Sequence, residues 1–146
     1  YHLASALHSP LWKTYPEMLA KHGRARAGQQ IVSGPVCIHV APTREQAWDE
    51  CEEPLWWGVE FYRRRGVNMP LPPVGELRRT PNAGIYGVPF AVGTAADVLE
   101  GLSRYRQEPL DQLALQFHAP GMNIEHVKRS MRVFAQEILP EIRKWG

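Results

Sequence analysis

Between residues 31 and 41 the chain has a run that is apolar at nearly every position, and few folds can bury such a run. Val36, Cys37, Ile38 and Val40 are all apolar, and three of them are β-branched. A strand with one solvated face alternates polar and apolar residues, whereas this run does not alternate. The run therefore predicts a strand covered on both faces, as in an α/β fold with a parallel sheet.

Strand and helix patterns alternate along the rest of the chain. Residues 1–30 predict a loop and a helix, residues 31–66 a strand–helix unit, and residues 93–146 a helix–strand–helix unit with its strand near 112–117. We expect the two strands to be parallel neighbours joined by a right-handed crossover. Residues 67–92 are rich in proline and glycine and lack periodicity, which is typical of a functional loop and predicts a lid.

The last helix has the clearest periodicity in the chain. Asn123 is expected to cap it, and its predicted buried stripe consists of Ile124, Val127, Met131, Phe134, Ile138, Ile142 and Trp145. Two prolines interrupt helical patterns. Pro54 predicts a kink or break in the helix after the first strand, and Pro140 predicts a bend in the final turn of the last helix.

Charge and composition exclude several classes of protein. Lys and Arg total 17 against 15 Asp and Glu, a net charge of +2 that does not predict a nucleic-acid or membrane partner. No apolar run has the length of a membrane span, and no signal peptide opens the chain. Cys37 and Cys51 are too few for a disulfide framework, so we expect a reducing, cytoplasmic location.

Three stretches, taken in order, resemble those of a known family. They are residues 36–48 (VCIHVAPTREQAW), residues 92–98 (VGTAADV), and the final strand and helix that contain DQLALQF, PGM and SMRVFAQEILP. Together they resemble the C-terminal part of the bacterial luciferase-like (LLM class) flavin-dependent monooxygenases. Ala95 and Ala96 depart from the Pro-Glu pair that is common in the family, at positions in the first turn of a helix.

This resemblance implies the C-terminal portion of a TIM (β/α)8 barrel of the luciferase-like type. Parallel strands, outer helices and a long lid-like loop are the expected parts. Two strands cannot cover their own edges, and a whole barrel has ~250 residues, so we expect about the last 40–60% of a barrel here. The chain begins with Tyr1 rather than Met, and an upstream segment is expected.

The implied activity is oxidation of a small organic substrate by oxygen and reduced FMN, the flavin being reduced by an NAD(P)H-dependent reaction. A flavin reductase is an implied partner, and the full-length protein is expected to be a homo-oligomer. The choice between FMN and a deazaflavin is open at this stage. The family's phosphate-anchoring arginine and catalytic histidine lie in earlier strands and have no counterpart here. The alternative is a non-catalytic flavoprotein paralogue or fragment that serves as a scaffold or dimerisation unit.

Gln116 and His118 are the candidate flavin- or substrate-facing residues, because they end the last strand on the side where barrels place their active sites. The alternative is that both are strand-end polar groups with main-chain partners. Gly93 and Thr94 begin a helix whose free N–H groups could hold a phosphate, although an ordinary N-cap explains them more simply.

Three further groups have both a functional and a structural interpretation. Cys37 and His39 alternate like metal ligands, but two ligands are too few for zinc and burial is the simpler explanation. Arg78 and Arg79 lie in the predicted lid and are most simply solvated. The aromatic side chains of the second helix form either a substrate wall or core: Trp48, Trp56, Trp57, Phe61 and Tyr62.

Overall fold

The computed structural model describes residues 2–4, 11–24, 31–68, 71–80, 83–84, 88–107 and 112–145. Its strands are β1 His2–Ala4, β2 Ile31–Val40, β3 Ala91–Gly93 and β4 Gln112–Gln116. Its helices are α1 Leu11–Lys21, α2 Arg44–Arg63, α3 Ala95–Ser103, α4 Ile124–Val133 and α5 Leu139–Ile142, with a π turn at Phe134–Ile138 between the last two and 3-10 turns at Leu77–Arg79 and Arg143–Trp145. The chain is thus a mixed α/β structure.

β2 is the central strand of a parallel sheet. It pairs with β1 over residues 31–33, with β4 from Val32 to Cys37, and with β3 over residues 38–40. The predicted parallel pairing of β2 with β4 is confirmed. Strands β1 and β3 were not predicted, because three residues are too few to show a period. The described strands form an open sheet, and no closed barrel is present among them.

The pairing of β2 with β4 shifts register next to Gly34, where only glycine fits. Gly34 has a φ of +126°, and a Cβ there would lie 2.4 Å from the carbonyl oxygen of Ala114. A larger residue at this position would force the two strands apart, so this glycine permits their close approach.

Both faces of β2 are buried, as its sequence predicts. Val36, Ile38 and Val40 pack in one cluster with α3 and the end of the last helical segment. Cys37 packs in a second cluster beneath the buried face of α2, which consists of Ala47, Cys51, Leu55 and Val59. Thr43 caps α2 by accepting a hydrogen bond from the main-chain N–H of Gln46 at 3.1 Å. The helix continues through Pro54, so the break considered from the sequence is absent.

The last helical segment buries a different stripe from the predicted one. Val127, Phe134 and Ile138 are buried as expected, but Ile124 and Met131 are 54% and 50% exposed. Ser130 takes the core position instead, since its hydroxyl accepts the N–H of Val40 at 2.9 Å.

The π turn gives this segment a second irregularity. Its closing bond runs from the N–H of Leu139 to the carbonyl of Phe134, one residue wider than in an α-helix. The turn lies directly before Pro140, which cannot donate to the preceding turn. Pro140 therefore follows a widened turn, and the outward bend predicted for the final turn stays a prediction.

Residues 71–80, the longest described part of the predicted lid at 67–92, pack against α2 at several points. Leu77 is fully buried, and the indole Nε1 of Trp56 donates to the carbonyl of Pro72 at 2.7 Å. Arg78 donates from its main-chain N–H (2.9 Å) and from Nε (2.7 Å) to the buried carboxylate of Glu52. Arg79 pairs with a neighbour in its own turn and is exposed. The Arg78 side chain stays one-third (33%) exposed, and its bonds to Glu52 fasten residues 71–80 to the helix.

Among the helices in these described ranges, none is both long enough and apolar enough to cross a bilayer.

Candidate active site

A cavity of about 990 Å³ opens between α2 and the strands β2 and β4. This volume lies at the upper end of the range for small-molecule sites. Its walls come from Gly34, Pro35, Cys37, Leu55, Trp57, Gly58, Val59, Glu60, Phe61, Tyr62, Arg64, Arg65, Phe90, Gln116, Ala119 and Pro120. Because β4 ends at Gln116, the cavity includes the carboxyl end of that strand and the turn after it.

The two candidate residues at the end of β4 have different positions. Gln116 lines the cavity, opposite Cys37 in the strand register. His118 has an exposed side chain and is not among the cavity's lining residues. Its main-chain carbonyl accepts a hydrogen bond from Nε2 of Gln116 at 2.8 Å. The structure thus brings the Gln116 side chain, and only the backbone of His118, to the site.

Gly93 and Thr94 form a helix cap. The Thr94 hydroxyl accepts the N–H of Asp97 at 3.3 Å, and the Asp97 carboxylate accepts the N–H of Thr94 at 2.9 Å. Hydrogen bonding by Arg44, with further help from Thr94, lowers the pKa of Asp97 to about 2. A carboxylate therefore occupies the N–H of Thr94 and adds negative charge where a phosphate would bind, and the N-cap interpretation describes this helix start.

Three of the five aromatic candidates face the cavity. Trp57, Phe61 and Tyr62 line it and are 49%, 50% and 39% exposed. Trp48 packs edge-to-face on Phe90, and Trp56 bonds to the packed loop, so these two belong to the core.

Gly58 lies between the aromatic residues on the same helix, and sequence reasoning missed it. A Cβ at this position would meet no atom within 4 Å, so the helix backbone borders open space here. Glycine inside a helix costs about 0.5–1 kcal/mol relative to alanine. An uninterrupted helical pattern with a glycine at its middle is the signal that could have identified this position.

The rim of the cavity is charged. The carboxylate of Glu60 is buried under two arginines, accepting from Nε of Arg63 (2.5 Å) and from Nε of Arg64 (2.8 Å). Hydrogen bonds from these two arginines lower the pKa of Glu60 to about 2, so it is ionised at neutral pH. The guanidinium carbon of Arg65 lies 3.6 Å from the ring centroid of Phe61, a cation–π arrangement.

Cys37 lines the cavity and carries a thiol, but its buried environment disfavours the reactive thiolate form. Burial raises the pKa of its thiol to about 11, so the thiolate that would attack or bind a metal is scarce at neutral pH. Burial likewise raises the pKa of Cys51. Within the described ranges, no group of three or more His, Cys, Asp or Glu side chains is arranged to hold a metal ion.

His39 belongs to a buried ionic cluster whose residues are not among those that line the cavity. Its Nε2 lies 2.8 Å from Oε2 of Glu50, and the same oxygen accepts from Nη2 of Arg129. Burial lowers the pKa of His39, against the opposing effect of Glu50. Burial alone would raise the pKa of Glu50, but bonds from His39 and Gln46 and the charge of Arg129 hold it below its usual value. Sequence reasoning missed this cluster, because Arg129 is 79 residues from Glu50.

Comparisons with known proteins reveal a likeness of fold. No protein-family model matches the sequence, and no curated protein matches it. A solved structure that does match is that of the monooxygenase RslO1 from Streptomyces bottropensis, with a TM-score of 0.60 and 19% sequence identity. The alignment covers 96% of this chain and 40% of that one. The chain is therefore similar in fold to less than half of that monooxygenase.

Proposed function

We propose that this chain is the C-terminal part of a flavin-dependent monooxygenase of the luciferase-like type, and that the cavity is its active-site pocket. The supporting observation is the cavity's place at the carboxyl end of β4, where parallel α/β folds place their sites. A fold shared over 96% of the chain with a monooxygenase also supports it.

The residues around the cavity fit a flat ring. The side of the cavity formed by β2 and β4 is the part that would take this ring, and the neighbouring walls are mainly apolar and aromatic. Gln116 and Cys37 would contact the ring of FMN, with the Gln116 amide as the polar group that fixes its orientation. Gly93 and Thr94 do not fit the phosphate, since the Asp97 carboxylate bonds to the N–H and hydroxyl of Thr94, and in this proposal the phosphate is held by other residues.

When bound, reduced FMN supplies the oxygen chemistry. The residues of this chain bind and orient the flavin and the substrate, and they exclude water from the pocket. Trp57, Phe61 and Tyr62 shield the pocket from solvent, and the main-chain carbonyl of His118 orients the Gln116 amide. An exposed His118 side chain has a small role in this arrangement.

Further parts of the proposal concern the complete enzyme. We propose that additional barrel strands complete the pocket, that an NAD(P)H-dependent flavin reductase supplies reduced FMN, and that the enzyme is a cytoplasmic homo-oligomer.

FMN titration of the purified chain, followed by quenching of flavin fluorescence, tests the proposal. Gln116→Leu is expected to weaken FMN binding about fivefold, from the loss of one hydrogen bond worth about 1 kcal/mol. Gln136→Leu is the matched control, because Gln136 is exposed on the last helical segment and is not a cavity residue. Absence of FMN binding, or an equal loss in both variants, would refute the assignment of the pocket.

Oxygen consumption separates the enzyme from the alternative scaffold. The complete protein that contains this chain is mixed with FMN, NADPH, a flavin reductase and a panel of aromatic and aliphatic substrates. Substrate-dependent oxygen uptake above that of the reductase alone supports the monooxygenase. Tight FMN binding without such uptake would favour the non-catalytic flavoprotein.

A further inference from the structure

We infer that the cavity takes a planar aromatic substrate that carries a negative charge. This inference names the substrate class of the pocket described above, and it rests on the proposed function. It is argued from the side chains that α2 places along one wall.

The aromatic side chains of α2 offer stacking surface that the rest of the described chain leaves uncovered. Trp57, Phe61 and Tyr62 are each between a third and a half exposed, although they line a cavity. A folded protein gains by covering such rings, and flat ligands cover them well because aromatic faces stack. The open space beside Gly58 lets a ligand approach the helix among these rings.

The charges on the same wall favour an anion. Glu60 is already neutralised by hydrogen bonds from Arg63 and Arg64. Arg65 has no carboxylate partner among the described residues; its Nη1 donates to the carbonyl of Phe61 at 3.3 Å. Three arginines on this wall therefore face one carboxylate, and Arg65, which lines the cavity, is the one that does not pair with it.

The position of Arg65 is suited to recognition. Its guanidinium stacks on the ring of Phe61, which holds the plane while the outer N–H groups remain able to donate. A carboxylate, phenolate or sulfonate matches such a donor, and an attached ring would lie beside the aromatic wall. Charge and shape thus select the same ligand class.

Binding of three small probes tests this class: naphthoate, its neutral amide, and fully saturated decahydronaphthoate. Calorimetry and tryptophan quenching measure the dissociation constants. We expect naphthoate to bind at least tenfold more tightly than either of the other two, because only naphthoate has both the charge and the flat ring. Equal affinity for naphthoate and its amide, or no naphthoate binding, would overturn the inference.

Variants identify the arginine responsible. Arg65→Gln is expected to weaken naphthoate binding about tenfold and leave amide binding unchanged, whereas Arg65→Lys retains part of the affinity. Arg104→Gln is the matched control. Arg104 is also an exposed arginine that follows a helix, and its side chain also donates to a main-chain carbonyl. An equal effect of Arg104→Gln would refute a local role for Arg65.

FMN is itself an aromatic anion. A competition experiment therefore decides whether Arg65 binds the substrate or FMN. Naphthoate is expected to bind with unchanged affinity when the chain is saturated with FMN. Displacement of naphthoate by FMN would assign the arginine to the cofactor and overturn the inference, while the proposed function would stand. Naphthoate binding without any FMN binding would support the anion site and refute the flavoprotein.

Discussion

Replacing Gly58 with alanine is expected to stabilise the fold and weaken ligand binding at the same time. Glycine in a helix interior costs about 0.5–1 kcal/mol relative to alanine, because its unfolded state has more conformational freedom. The new methyl group would meet no atom within 4 Å, so no clash reduces the gain. For a chain of this size, 1 kcal/mol corresponds to about 2–4 °C in Tm, and we expect a rise of about 1–4 °C.

The same methyl group occupies space in the cavity. Gly58 belongs to the wall that also carries Trp57 and Phe61, so a bound ring must move away from the helix. Overpacking a well-fitted site typically costs about 1–3 kcal/mol, which predicts at least a fivefold loss of affinity for naphthoate. Thermal unfolding followed by circular dichroism and fluorescence titration measure the two effects.

Gly101→Ala is the matched control for this change. Gly101 is also inside a helix, and a Cβ there would lie 3.8 Å from Cβ of Ala91, an ordinary contact outside the cavity. It should raise Tm by a similar amount with no change in binding. Unchanged binding in Gly58→Ala would show that ligands do not use this wall, and a lowered Tm would show that the helix needs glycine there.

Three further substitutions test buried polar contacts that hold the fold together. Ser130→Ala removes the acceptor for the buried N–H of Val40 and is expected to cost about 1–3 kcal/mol in urea unfolding. His39→Gln removes a buried group whose lowered pKa makes the folded state bind fewer protons than the unfolded state. The free energy of unfolding of the wild type should therefore fall as pH drops below about 6.5, and the variant should lose that part of the pH dependence. Arg78→Met removes the guanidinium from the buried Glu52 carboxylate and leaves it the main-chain N–H of residue 78, which should cost about 1–3 kcal/mol and speed hydrogen exchange in residues 71–80.

Each of these variants has a control in the chain. Ser103→Ala removes an exposed hydroxyl, His118→Gln an exposed imidazole, and Arg79→Met an exposed arginine that pairs within its own turn. All three should change stability by less than about 0.5 kcal/mol. If a control variant loses as much stability as the variant it is paired with, the buried contact is not the cause of that loss. Rapid hydrogen exchange in residues 71–80 of the wild type would instead support a mobile lid.

Local patterns were sufficient for the elements that depend on neighbours in sequence. The unbroken apolar run of β2 indicates burial on both faces, and the pair Thr94 and Asp97 indicates a helix start. Each of these signals depends only on a few consecutive residues. The parallel pairing of β2 with β4 followed from alternation of strand and helix. Gln116 was placed near a site by the general rule that parallel sheets open at their carboxyl ends.

Tertiary structure alone decided which side chains meet. Apolar periodicity favoured Met131 for the core, yet Ser130 is buried there, because the N–H of Val40 needs an acceptor that an apolar residue cannot supply. The carboxylates of Glu50 and Glu52 are also buried, because each forms an ion pair with an arginine from a distant part of the sequence. Residue patterns record how much of a side chain is buried, whereas hydrogen bonds and cavities depend on which atoms the fold brings within about 3 Å.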